Sequence, residues 1–323
     1  MGYWIGKEMK LDRIRNAAVI LSGIDLRTAT DSELQQVTKV VAEEGIVIIK
    51  NQKMSIDRFN EINMSWGSMH KSGNPACHPD YPYIFRVTNK TLEKGQKGMF
   101  SQGFLDWHCN SVACADPEEV VCLYGEQPLG GTPTTYSNCT KVYEDLPENM
   151  KKELQDSWAT FSNFLVEQKD DYGVYEGKDI SQSGAASMDI YNLRTRTGRR
   201  NGSSIYKDYM TVEKMPNGRR RIEVKKRLLR KHPITGKPTL FFPFPGMTNP
   251  TISKDLIEDI TERCTTDEQY LYESDWEEGD LCVMDQTATI HKRNAPLKVE
   301  DGIRMLYRTS FYYKDSKWNS CYE

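Results

Sequence analysis

Asp106-Trp107-His108-Cys109-Asn110 (DWHCN) places an imidazole between an acid two residues before it and an amide two residues after it. Alternate residues on a β-strand share a face, so Asp106, His108 and Asn110 are expected to point the same way, with neighbouring Cα atoms roughly 7 Å apart. Two such side chains can clasp one ion. A site of this kind commonly joins two imidazoles and one carboxylate on one face of a metal. Here the second position after the histidine carries an amide, so the rest of the chain must show whether a site exists.

Downstream, GDLCVMDQTATIHKRNAP (279–296) reads as a buried strand running into a turn that delivers His291 just past the strand's end. GIRMLYRTSFYY (302–313) then sets Arg304, Leu306, Arg308 and Ser310 on one face of a strand, with the two arginines about 13 Å apart. Such a face presents two cations to separate anionic groups.

The intervening apolar runs are short and rich in β-branched and aromatic residues: PYIFRVTN (82–89), VVCLYGEQ (120–127), PTTYSN (133–138) and PTLFFPFPG (238–246). They predict a β-barrel or double sheet. Ahead of them AAVILSGIDL (17–26) reads as a strand and turn. Thr30-Asp31-Ser32 then opens an amphipathic helix with apolar residues at 34, 37, 40 and 41 and a closing Gly45. IVIIK (46–50) is a buried strand, and SIDRFNEINMSWG (55–67) a second helix ending at glycine. Two later helices are expected over 141–158 and 253–270, packed outside the strands. Trp107, Tyr307 and Phe311 are expected in the core.

At 323 residues, 38% hydrophobic and 28% charged, the composition is that of a single elaborated globular domain spanning 1–323. A formal net charge of -3 excludes a general preference for polyanions or membranes. The eight cysteines show no C-x-x-C pair, which predicts a reducing, cytoplasmic setting and no zinc site. No apolar stretch reaches membrane-spanning length, and the N-terminal residues carry neither an export signal nor a myristoylation pattern.

Residues 194–237 depart from this average, with fifteen Lys or Arg against Asp208, Glu213 and Glu223. Pro216-Asn217-Gly218 is a strong turn signal, so a basic β-hairpin is expected as an insertion at about 194–231. A solvated edge, a lid over an anionic substrate and a nucleic-acid arm all fit that pattern.

Together these motifs resemble the TauD/TfdA family of Fe(II)/2-oxoglutarate dioxygenases. The resemblance runs through SGIDLRTATDSELQQVTKVVAEEGIVIIKNQ (22–52), WHCN (107–110), PLGGTPTTYSN (128–138), HPITGKPTLFF (232–242), His291 and the Arg304-x-x-x-Arg308 pair, in the family's order. It implies an α+β fold with a double-stranded β-helix (jelly-roll) core and flanking helices. It also implies Fe(II) held by His108, His291 and the residue at 110, and 2-oxoglutarate held by Arg304 and Thr134, with Thr132 as the alternative hydroxyl. Arg308 matches the family position that faces substrate.

Asn110 stands where the family has a carboxylate, and an amide oxygen coordinates without the Coulomb attraction of a full charge. Four readings follow: a natural site with a weaker third ligand, an engineered or trapped variant of an aspartate enzyme, a halogenase-like site, or a retired catalyst serving as a binding scaffold. Asp106 is a further candidate for the carboxylate. The expected activity is hydroxylase-type C–H oxidation of a small anionic or zwitterionic molecule, an amino acid for example, with O2 as co-reactant. A nucleic-acid-modifying oxygenase is the alternative partner class, and homo-oligomerisation is compatible with the sequence.

Overall fold

The computed structural model describes residues 3–5, 9–69, 76–99, 105–110, 112, 118–166, 210–214, 216, 219–295, 297–314 and 316. Strands dominate. In chain order they are β1 (Tyr3–Ile5), β2 (Met9–Ile14), β3 (Ala18–Ser22), β4 (Ile46–Ile49), β5 (Gly67–Met69), β6 (Phe85–Thr88), β7 (Leu105–His108), β8 (Val120–Gln127), β9 (Thr134–Asn138) and β10 (Trp158–Val166). They continue as β11 (Met210–Lys214), β12 (Arg219–Arg227), β13 (Leu229–Lys231), β14 (Pro238–Leu240), β15 (Met247–Thr248), β16 (Leu271–Ser274), β17 (Leu281–Asp285), β18 (Thr289–Arg293) and β19 (Met305–Tyr313). The helices are α1 (Asp31–Glu44), α2 (Ile56–Trp66), α3 (Cys139–Glu144), α4 (Glu148–Leu154) and α5 (Lys254–Thr266). Among the described residues no helix is long and apolar enough to cross a membrane.

Two sheets frame the interior. The larger runs β1-β2-β3-β4-β17-β8-β19-β5, with β6 also paired to β19, and the smaller runs β16-β9-β18-β7. Strand parity sorts the core. Ile46, Ile48, Val121, Leu123, Cys282, Met284 and Leu306 of the large sheet meet Tyr136 of the small one. The alternate residues Val47, Ile49, Val120, Cys122, Leu281 and Val283 face the other way, onto Leu34, Val37 and Val41 of α1 and Phe59 and Ile62 of α2. A third cluster joins Trp107 and Ile290 to Ile260 of α5 and to Phe161 and Phe241.

The first helix forms where its caps demand. Thr30 and Glu33 close a reciprocal capping box, and Gly45 ends the helix at φ 79. A side chain at Gly45 would meet the Asn138 amide at 3.1 Å as well as a strained backbone.

Several expectations needed correction. The helix expected over 141–158 is two helices, because Pro147 lacks the N–H that an unbroken helix needs there and instead precedes α4. Its last expected residue, Trp158, opens β10. The run 238–246 is a strand only through Leu240. β1, β2, β10 and β16 were not anticipated. The strands flanking Pro216 do pair antiparallel, Met210 to Val224 through Lys214 to Arg220, while 194–209 lie outside the described residues.

β12 is no solvated edge, however. It lies between β11 and β10, pairing with the latter from Trp158–Arg227 to Val166–Arg219. Lys226 is fully buried there, donating to Val112 O at 2.7 Å above the Phe161 and Phe241 rings. A buried ammonium needs both the carbonyl and the aromatic faces.

Candidate metal centre

β18 organises the site. His291 is the register partner of His108 on β7, and on its other side Arg293 is the partner of Thr134 on β9. Residues two apart share a face, so His291 and Arg293 enter one cavity and bring their partners with them. From the large sheet, β19 contributes Leu306 and Arg308, Arg304 stands just before it, and Arg308 pairs in register with Leu123 of β8. The cavity is lined by His108, Asn110, Thr134, His291, Arg304 and Arg308, with Arg293 and the apolar Val87, Leu105, Val121, Leu123 and Leu306.

His291 therefore sits within a strand, not just past one. Asn110 leaves the strand altogether. β7 ends at His108, and Asn110 lies in the following turn with its backbone N–H on Gln286 Oε1 at 2.9 Å and its Nδ2 on the same oxygen at 3.1 Å. Asp106 does not share the His108 face as simple alternation would have it. His291 pairs with His108 but Arg293 pairs with Leu105, so Lys292, the one residue between them on β18, opposes two on β7, Asp106 and Trp107. That irregularity turns Leu105 into the cavity and Asp106 out to solvent, where its Oδ1 accepts from Trp107 N at 2.7 Å. Thr132 donates to Leu129 O at 2.6 Å within its own turn and does not line the cavity.

The two imidazoles are neighbours, with ring centroids 4.2 Å apart and planes at 48°. His108 Nδ1 lies 2.7 Å from Asp106 O. A carbonyl only accepts, so Nδ1 carries the proton and Nε2 the lone pair, the tautomer suited to a metal ligand. Burial pulls the His108 pKa down to about 4, against the Asp106 bond and with help from Arg308 and Arg293. Burial, then His108, then Arg308 hold His291 well below its ordinary value. Both rings are neutral at pH 7, as ligation requires. Nδ1 of His291 is buried without a hydrogen-bond partner among the described residues.

Among the described residues no three His, Cys, Asp or Glu side chains converge on one point. The Asn110 amide lines the same cavity as the two imidazoles. Two neutral imidazoles, one with an orphaned buried nitrogen, and an amide oxygen fit a divalent ion with nitrogen and oxygen preferences such as Fe(II).

Arg304 is 2% exposed, and among the described residues its Nε has no partner and no acid pairs with it. Burial lowers its pKa to about 10, with Arg293 adding to the shift, so it stays charged at neutral pH and awaits an anion. Thr134 Oγ1 accepts from Trp276 Nε1 at 3.1 Å, which leaves its own hydroxyl proton to donate. Arg308 is different. Its Nη2 donates to the buried Glu118 at 2.6 Å, so its charge is offset, while Nε and Nη1 have no partners among the described residues.

The sequence reading did not single out Arg293, Glu118, Gln286 or Trp276. Arg293 had a signal in its parity with His291, whereas the others reach the site from separate parts of the chain.

The profile of the taurine catabolism dioxygenase TauD, TfdA family matches residues 10–310, and the chain belongs to that family. It is an Fe(II)/2-oxoglutarate-dependent dioxygenase. Pentalenolactone F synthase of Streptomyces avermitilis is 21% identical over 309 residues, 90% of each chain. A taurine dioxygenase from Burkholderia xenovorans superposes with a TM-score of 0.64 at 16% identity, covering 96% of this chain and 91% of that one. AAD-2 in complex with Mn(II) and N-oxalylglycine gives 0.63 at 17% identity, covering 94% and 97%.

Proposed function

We propose that this dioxygenase hydroxylates a C–H bond of a small anionic or zwitterionic molecule, with His108, His291 and Asn110 holding the iron. We read the two-sheet frame as a double-stranded β-helix with the site in its mouth. The observation that carries this reading is the convergence of His108, His291, Asn110, Thr134, Arg304 and Arg308, drawn from separate strands and turns, on one cavity. When bound, Fe(II) and 2-oxoglutarate supply the oxidising chemistry, in which oxidative decarboxylation to succinate is coupled to substrate oxidation.

The protein's part is placement. Arg304, with no acid of its own, and the Thr134 hydroxyl hold the distal carboxylate of 2-oxoglutarate by charge-assisted bonds. Arg308, steadied by Glu118, presents Nε and Nη1 to an anionic group of the substrate as directed donors, not as a bare charge. Leu105, Val121, Leu123 and Leu306 keep water from the reacting carbon. The cavity lies between the two sheets and has to hold both co-substrate and substrate, which favours a small molecule.

The test is 2-oxoglutarate-dependent O2 uptake by the iron-loaded protein against a panel of sulfonates, carboxylates and amino acids, with products weighed by mass spectrometry. The expected result is uptake stimulated by a small anion or zwitterion and a product heavier by one oxygen atom. A chlorinated product formed only with chloride, or turnover confined to nucleic acid, would overturn the reading.

A further inference from the structure

Position 110 reads as a site damaged by loss of a carboxylate only if its surroundings are indifferent to the change. They are not. Gln286, 1% exposed in the turn between β17 and β18, receives two donors from Asn110 on one oxygen: the backbone N–H at 2.9 Å and Nδ2 at 3.1 Å. The Cys109 thiol approaches the same oxygen at 3.5 Å and bonds Gln286 O at 3.1 Å. Gln286 N is itself tied to Glu119 O at 2.8 Å. Its Nε2 is buried and has no partner among the described residues.

These contacts fix both amides by elimination. A backbone N–H can only donate, so the Gln286 atom facing it must be the oxygen. That oxygen can only accept, so the Asn110 side-chain atom beside it must be Nδ2. Turning Gln286 over would satisfy Nε2 but leave the Asn110 N–H buried and unpaired, which is the costlier arrangement. With Nδ2 committed, the remaining acceptor of the Asn110 amide is Oδ1, on a residue that lines the cavity with His108 and His291.

We infer that Gln286 is a positioning residue for the metal site, which turns the Asn110 amide so that Oδ1 is presented as the third donor, and that this pocket is built for an amide at position 110. The inference rests on the proposal that Asn110 is a metal ligand. An aspartate there would set a charged oxygen against Gln286 Oε1 at the 3.1 Å contact, so part of the benefit of the added charge would be lost to that repulsion.

Mn(II) binding to the metal-free full chain, read from the free-ion EPR signal with and without 2-oxoglutarate, tests this without turnover. Q286M keeps the side chain's length and removes the acceptor; it should weaken Mn(II) 10- to 100-fold, the range typical when the group orienting a ligand is removed. Q286E keeps an oxygen in the same shape and should bind at least as tightly as the parent. Asn110→Asp should improve binding by at least tenfold more in the Q286M background than in the parent. Q286M within twofold of the parent, an equal gain from N110D in both backgrounds, or Q286E more than tenfold weaker would each overturn the role of Gln286. H108A separates the two levels. If it abolishes binding while Q286M does not weaken it, only the positioning role falls; if it leaves binding unchanged, the metal assignment itself falls.

Discussion

Replacing Arg304 with Met should move two properties in opposite directions. The guanidinium is buried with no acid among the described residues to pair with, and burial brings its pKa down to about 10. At about 1.4 kcal/mol per pH unit, a fall of that size from the free guanidinium value corresponds to roughly 3 kcal/mol of destabilisation by the charged form, as an order of magnitude. Arg304→Met removes that cost and keeps an apolar stem of similar reach, so the protein without co-substrate should become more stable. For a chain of this size roughly 3 kcal/mol is about 4–5 °C in Tm.

The sign with pH follows from a depressed cation. The penalty is fully present below the folded pKa of about 10 and fades as pH rises through it, so the Tm advantage of the variant is constant near neutrality and shrinks in alkali. Binding of 2-oxoglutarate should suffer. Loss of one member of a buried charged pair costs roughly 2 to 5 kcal/mol, which is about 30-fold to several thousand-fold in Kd. Calorimetric titration of 2-oxoglutarate into the Mn(II)-loaded protein reads the second effect, and differential scanning calorimetry the first. Unchanged co-substrate affinity, or a lowered Tm in the free variant, would refute the assignment of Arg304 as a charge left waiting for its ligand.

Other consequences are equally direct. Glu118→Gln leaves Arg308 charged in the interior and should cost roughly 3–5 kcal/mol in chemical denaturation, while E118L/R308M should recover most of it; a neutral E118Q would mean the pair is not coupled. Asp285 is fully buried: burial raises its pKa, but donors from His232, Tyr313 and Thr287 outweigh that and leave it lowered. Its contribution is present above the unfolded carboxylate value of about 3.9 and is lost as pH falls through the lower folded value. Asp285→Asn should therefore lower stability at pH 7 and flatten its decline in acid, and parallel pH profiles for the two proteins would contradict this. The basic strands should confer no tight nucleic-acid binding at about 0.15 M salt; steeply salt-dependent binding that R219Q/R220Q/R221Q abolishes would favour the nucleic-acid alternative.

Much of the local structure was written in residue order. Thr30 and Glu33 with Gly45 bounded α1, Ser55 opened α2, and the run 120–127 became β8 residue for residue, because capping and strand alternation act over a few neighbours. The family resemblance also pointed to His108, His291, Thr134, Arg304 and Arg308, which the structure places around one cavity. Pro147 should have divided the helix it interrupts, since that signal is local too.

What the sequence by itself could not determine depended on which strands meet, and where. The pairing of His291 with His108 fixed the imidazole contact, and one irregularity beside it undid the expected alternation by turning Leu105 in and Asp106 out. Asn110 took its orientation from Gln286, and Arg308 its counter-charge from Glu118. These partners lie far apart along the chain with no periodicity linking them. Only the tertiary structure chose them, because a buried donor or charge is satisfied by whatever group the fold brings within reach.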